Sequence, residues 1–291
     1  MLPARTILDG ATGTELARRG VDTRGPLFSA KALLDEAGRV QLRAIHREYL
    51  AAGAEVITAA TFRTTPRAVL RAGYEGGWAQ LLELAVAEAR AACAEAGKGL
   101  VAGSMAPLED CYRPDLRPSP LQAHREHALQ ATVLREAGCD LLLVETVAAA
   151  DEGLAALEAA LSTGLPTWVS AQVAPGGTLP DGSELSAFFR AAAMAGAQAL
   201  LVNCTPPDGI DLAMDALARC GLPFGAYAHF GETDPACGWT EGPSLSPVEY
   251  AERASRWAAR GALLLGGCCG TTPAHIAQLA RLERAAPASS P

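Results

Sequence analysis

The sequence predicts an α/β fold, a single (β/α)8 barrel of the TIM type. Three observations point to it. Short β-rich runs alternate with helical stretches eight times along the chain. Those runs are continuously apolar, as expected of strands covered on both faces. No composition break marks a linker, and no repeat period relates the units, which sets aside a solenoid. A doubly wound open sheet competes, but eight units without a linker favour closure. The barrel is assigned to residues 1–284. The short tail "AAPASSP", 285–291, is expected to be disordered.

The first strand is "RTILDG", ending near Asp9. A helix over roughly 30–52 follows, with Leu33, Leu34, Val40, Ile45 and Leu50 at helical spacing. Strand two is "EVITAATF", 55–62, and the helix over 78–97 ends in Gly97, where a left-handed residue closes a helix. "LVAGSM", 100–105, precedes a helix near 119–137, and "DLLLVET", 140–146, one near 150–162. "TWVSAQV", 167–173, leads to 184–195, and "ALLVNC", 199–204, to 209–219. "FGAYAH", 224–229, is followed by 246–261, and "ALLLGG", 262–267, by a last helix near 273–284. Thr272-Pro273 reads as an N-cap with proline in the first turn.

Bulk properties exclude several classes. Hydrophobic residues make up 49% of 291, enough for a large core, and the net charge of −8 argues against a nucleic-acid surface. No run of about 18 uncharged apolar residues suggests a membrane span. The opening "MLPARTILDG" lacks the apolar run of a secretion signal, so a cytoplasmic location is expected. There, eight cysteines are not expected to form a disulfide framework. The sequence does not fix oligomeric state, and a homo-oligomer is compatible with it.

A barrel collects its chemistry at the C-terminal ends of the strands. Those ends carry Asp9 on strand one, Thr61, Phe62 and Arg63 on two, Glu145 on four, Cys204 on six, His229 on seven, and Cys268-Cys269 on eight. Strands six, seven and eight are neighbours, so the three cysteines converge on one rim. Gly266 and Gly267 are read as freeing the backbone to leave strand geometry and turn both thiols toward the barrel axis. Three thiolates suit zinc, with a fourth position left open for reaction. Buried packing and a vicinal redox pair are the competing readings of the trio. Cys93, Cys139 and Cys220 read as small buried hydrophobes; Cys111 and Cys237 lie in loops. Glu145 ends an apolar strand, where a carboxylate is costly without a partner. Asp9 before glycine is also a plain turn residue, Thr14 a plain helix cap, and His229 a plain core histidine. The "DGATGT" loop lacks the lysine and the spacing of a phosphate-binding motif.

Six stretches, "ILDGATGTEL", "TFRT", "SMAPLEDCY", "LLLVET", "LLVNCTPP" and "GGCCGTTPAHI", occur here in the order of the homocysteine S-methyltransferase family, which residues 6–282 resemble. The resemblance implies a zinc-dependent barrel that methylates the sulfur of homocysteine to give methionine. It implies Cys204, Cys268 and Cys269 as zinc ligands, and Asp9 and Glu145 as the grip on the substrate ammonium. Gly10, Thr61 and Phe62 match the pocket around the amino-acid end. The implied partners are small molecules, homocysteine and a methyl donor, the family's donors being S-methylmethionine, S-adenosylmethionine or betaine, of which the first two are expected here.

Two departures stand out. The family's asparagine after strand seven is here His229, read either as a resting zinc ligand that homocysteine displaces or as a pocket wall. Arg63 follows Thr61-Phe62 and suits a carboxylate-bearing donor better than a quaternary ammonium. Two alternatives remain. One is a module that takes methyl groups from a separate corrinoid or folate protein. The other is a non-catalytic, redox-sensing zinc protein.

Overall fold

The computed structural model describes residues 5–234, 238–240, 242 and 244–282. The expected tail and Cys237 lie outside these residues. In order come β1 (Thr6–Ile7), α1 (Gly13–Arg18), a 3-10 turn (Phe28–Leu33), α2 (Glu36–Ala52), β2 (Val56–Thr58), α3 (Pro66–Arg71), α4 (Trp78–Ala96), β3 (Leu100–Met105) and α5 (Pro120–Glu136). Then follow β4 (Leu141–Val147), α6 (Ala150–Leu161), β5 (Thr167–Ala171), α7 (Leu185–Ala195), β6 (Ala199–Asn203), α8 (Pro207–Ala218) and β7 (Phe224–Ala228). The last are β8 (Glu232–Asp234), β9 (Gly238–Thr240), α9 (Pro247–Ala259), β10 (Leu264–Gly267) and α10 (Pro273–Arg281).

Among the described residues, eight parallel strands pair in the order β1-β10-β7-β6-β5-β4-β3-β2. A parallel bridge between Leu8 and Val56 joins the two ends. There the Asp9 N–H donates to Val56 O at 3.0 Å and the Glu55 N–H to Ile7 O at 2.7 Å. The sheet therefore closes into the expected barrel. The antiparallel pair β8–β9 was not read from sequence; it lies between β7 and α9.

Strand alternation divides the core into two layers. Leu141 and Leu143 of β4, Trp168 of β5, Ala199 and Leu201 of β6, and Tyr227 of β7 pack together inside the barrel. Leu142, Val144, Val169, Leu200, Val202 and Ala226 face outward and pack with the helices. Both faces are apolar, which is why no strand showed a polar alternation in sequence.

Helix ends follow local chemistry. The single helix expected over 30–52 is a 3-10 turn and then α2, because the Asp35 side chain accepts the Gly38 N–H at 2.7 Å and starts a new helix there. α4 closes at left-handed Gly97 as expected. Thr272 caps α10, its N–H donating to His275 Nδ1 at 3.1 Å. Thr14 is not the cap expected from sequence: α1 starts at Gly13 with Thr12 at the N-cap position, and Thr14 lies inside the helix. Its hydroxyl accepts the Gly270 N–H at 3.0 Å and ties the first loop to the cysteine turn after β10. Among the described residues, no helix is long and apolar enough to cross a membrane.

Candidate active site

A cavity of about 600 Å3 opens at the C-terminal ends of the strands. Asp9, Gly10, Phe62, Arg63, Glu145, Cys204, Cys268 and Cys269 all line it. Eight of the ten residues singled out from sequence therefore meet in one place. Thr61 does not line it. That side chain is fully buried, and its hydroxyl donates to Ser104 O at 2.8 Å, bracing the neighbouring strand end. His229 is also absent from the lining residues. β7 ends at Ala228, and the next N–H turns to Thr205 O at 3.2 Å. The side chain is buried there, and burial lowers its pKa to about 4. His229 thus does not share the cavity lining with the three thiols.

The three thiols gather at one side. Cys204 Sγ and Cys268 Sγ stand 3.4 Å apart, and Cys269 interacts with both. Contact among the sulfurs, with burial added, pushes all three thiols well above the ordinary thiol range. Such a cluster resists ionisation until a cation joins it. In a tetrahedral zinc–thiolate centre the sulfurs lie about 3.8 Å apart, so these need to separate only slightly. Among the described residues no group of His, Cys, Asp or Glu side chains forms a preformed metal cage. The residue types and their common cavity fit a thiophilic ion.

The glycines act differently from the sequence reading. Gly266 and Gly267 keep ordinary strand geometry within β10. They are small because the barrel is tight. A Cβ on Gly266 would lie 2.7 Å from Leu8 Cβ, and one on Gly267 would collide with the Thr271 hydroxyl. The turn is made instead at Gly270, φ 84°, and at Cys204, φ 48°. Among the described residues, Phe28, Thr146 and Cys204 are the non-glycine residues with positive φ, and all three line the cavity. Strain of this kind costs on the order of 1–3 kcal/mol and persists where neighbours enforce it.

Glu145 sits in a polar ring that caps the apolar barrel interior. Ser104 Oγ donates to its Oε1 at 2.5 Å, Tyr227 Oη to its Oε2 at 3.0 Å, and Asn203 Nδ2 to Oε2 at 3.4 Å. Asn203 also pins the strained Thr146, accepting its N–H at 3.0 Å and donating to its hydroxyl at 2.8 Å. Asp9 faces the same space, with Thr58 N–H and Oγ1 donating to its two oxygens at 2.8 and 3.0 Å. Burial raises the Asp9 pKa to about 8 and raises that of Glu145 as well. Two desolvated carboxylates in one cavity call for a cationic ligand.

Arg63 also lines the cavity. Its Nη1 donates to Glu109 O at 2.7 Å, its Nη2 lies 3.8 Å from Cys111 Sγ, and its guanidinium stands 5.1 Å from the Phe62 ring centre. Arg67 and Arg71 both pair with the Glu109 carboxylate, whereas Arg63 makes no ion pair among the described residues. Tyr112 reaches in from the loop between β3 and α5, with Oη 3.7 Å from Cys204 Sγ. Cys111 also lines the cavity, while Cys93, Cys139 and Cys220 pack in the helical layer.

Sequence reasoning missed Ser104, Asn203, Tyr227 and Tyr112 as site residues. The first three were within reach. Counting alternate residues toward each strand end from the interior layer places Ser104, Glu145, Asn203 and Tyr227 on the inner face. No sequence signal directs Tyr112 to the thiols.

The cavity thus holds a sulfur cluster, buried carboxylates and a guanidinium with no carboxylate partner among the described residues, a set suited to an amino acid that presents sulfur. The comparisons agree. The family model for homocysteine S-methyltransferase matches residues 6–282. The homocysteine S-methyltransferase of Escherichia coli K12 is 34% identical, covering 94% of this chain and 93% of its own. Homocysteine S-methyltransferase YbgG of Bacillus subtilis is 30% identical, covering 96% and 94%. The metallated form of the E. coli homocysteine methyltransferase MmuM superposes with a TM-score of 0.80 at 30% identity, covering 96% of both chains. The chain belongs to the homocysteine S-methyltransferase family.

Proposed function

We propose that this enzyme transfers a methyl group from a sulfonium donor to the sulfur of homocysteine, forming methionine, with zinc held by Cys204, Cys268 and Cys269. One observation carries the reading: three thiols and two buried carboxylates face a single cavity. Zinc bound there supplies the positive charge that ionises a substrate thiol near neutral pH. Asp9 and Glu145 receive the homocysteine ammonium, and that cation repays the cost of keeping both carboxylates ionised in a dry site. Tyr227, Ser104 and Asn203 hold the Glu145 carboxylate so that the ammonium, and with it the sulfur, has one position. Arg63 receives a carboxylate of the donor, which favours S-methylmethionine or S-adenosylmethionine over donors without one. The substrate thiolate attacks the methyl carbon, and the donor leaves as a neutral thioether with the electron pair. No protein nucleophile is needed.

Purified protein incubated with zinc, homocysteine and each donor in turn tests this by methionine formation. S-Methylmethionine or S-adenosylmethionine should yield methionine. Turnover with methylcobalamin or methylfolate alone points to the methyl-accepting module. Zinc release on mild oxidation, without turnover from any donor, points to the redox-sensing protein.

A further inference from the structure

An electrophilic methyl group in this cavity meets the three sulfurs of the cysteine cluster as well as that of homocysteine. Cys204, Cys268 and Cys269 are as much thiolates as the substrate when they ligate a metal. Methylation of a ligand would leave a neutral thioether in its place, a weak partner for zinc, and would inactivate the enzyme. A selective enzyme therefore needs a feature that separates its own sulfurs from the substrate's.

Tyr112 stands at the right place. Its phenol oxygen lies 3.7 Å from Cys204 Sγ, and a phenol donates where a thiolate can only accept. The loop that carries it is pinned from several sides. Arg63 Nη1 donates to Glu109 O at 2.7 Å and Gln172 Nε2 to Cys111 O at 2.8 Å. The Tyr112 N–H donates to Asp110 Oδ1 at 2.9 Å, and the Arg113 N–H to Asp110 O at 2.9 Å. Cys204 is equally constrained, at φ 48°. The backbone is held on both sides of the contact, which brings the phenol and the thiol to one place.

We infer that Tyr112 is a positioning residue whose hydroxyl donates to the Cys204 thiolate and lowers its nucleophilicity, so that the donor's methyl group goes to the substrate sulfur. The inference rests on the zinc–thiolate reading above. The reaction it suppresses is defined: an S–CH3 bond forms at Cys204 as the donor's bond to that carbon breaks, and the leaving group keeps the electron pair. A hydrogen bond to the attacking lone pair opposes that step. A bond to a charged acceptor is worth roughly 10- to 100-fold, and the long contact to sulfur puts the expected change in rate at the lower end, about tenfold.

The test uses zinc-loaded wild-type protein and Tyr112→Phe without homocysteine, treated with methyl iodide, which needs neither donor subsite nor turnover. Zinc content is measured first, and S-methylcysteine is then read by peptide mass spectrometry. Trypsin separates Cys204, in peptide 191–219, from Cys268 and Cys269, in 261–281. Tyr112→Phe should keep its zinc and methylate Cys204 about tenfold faster, with Cys268 and Cys269 little changed. Equal Cys204 rates in zinc-loaded proteins overturn the role of Tyr112 alone. A parallel rise at all three cysteines also overturns it, since that is the result of opening the cavity. Absence of zinc in the wild-type protein overturns the metal reading itself.

Discussion

The hydroxyl of Tyr227 on β7 donates to Oε2 of Glu145 on β4, 3.0 Å away across the barrel. The two strands are not adjacent in the sheet, so this contact exists only because the barrel is closed. It fixes a carboxylate that burial would otherwise disfavour, at the floor of the cavity that holds the thiols.

Glu145→Gln keeps the shape of that side chain and removes its charge. The protein should retain zinc, while kcat/KM for homocysteine falls by roughly 10- to 100-fold, the worth of one hydrogen bond to a charged group. Tyr227→Phe should cost less, roughly 3- to 10-fold, mostly in homocysteine KM. Steady-state kinetics with homocysteine varied at saturating donor gives both values. Unchanged constants in Glu145→Gln would remove it from the ammonium site.

Cys268→Ala should lose metal and methyl transfer together, because two thiolates with no third partner hold zinc far more weakly. Elemental analysis after dialysis reads the metal, and methionine formation reads the chemistry. Full activity in metal-free protein would refute the assignment of the cluster.

Arg63→Leu should separate the two substrates. KM for the sulfonium donor should rise by about 10-fold or more, as loss of a charge-assisted carboxylate contact requires, with homocysteine KM near the wild-type value. A rise in homocysteine KM alone would place Arg63 at the acceptor's carboxylate instead.

His46 on α2 is fully buried, and neither ring nitrogen has a hydrogen-bond partner among the described residues. Burial lowers its pKa from 6.5 to about 4. The unfolded chain therefore binds a proton between those values that the folded chain refuses, so stability falls as pH drops from about 6.5 to about 4. The full loss is about 3 kcal/mol. His46→Leu should remove this component. Urea midpoints at pH 7.5 and pH 5 should show a smaller acid loss in the variant than in the wild type. Equal losses would show that His46 takes up its proton without cost.

The sequence by itself determined the barrel and most of the rim. Eight apolar runs between helices specify parallel strands covered on both faces, and the residue that ends each run is then placed by the architecture. That logic located Asp9, Glu145, Cys204, Cys268 and Cys269, whose chemistry is conspicuous at the end of an apolar strand. It failed where position depends on what lies opposite. The glycines before the cysteines looked like hinges, but they are clearances for Leu8 and Thr271, a requirement set by how closely β1 and the last turn approach β10. His229 shares the strand-end address of the cysteines and yet is not among the residues that line the cavity; its N–H bonds Thr205 O. Tyr112 has no strand-end address and still reaches Cys204. Local periodicity fixes which face of an element a residue occupies. Which side chains meet across the barrel is decided by its closure and by the long-range hydrogen bonds that pin the loops, and these exist only in the folded chain.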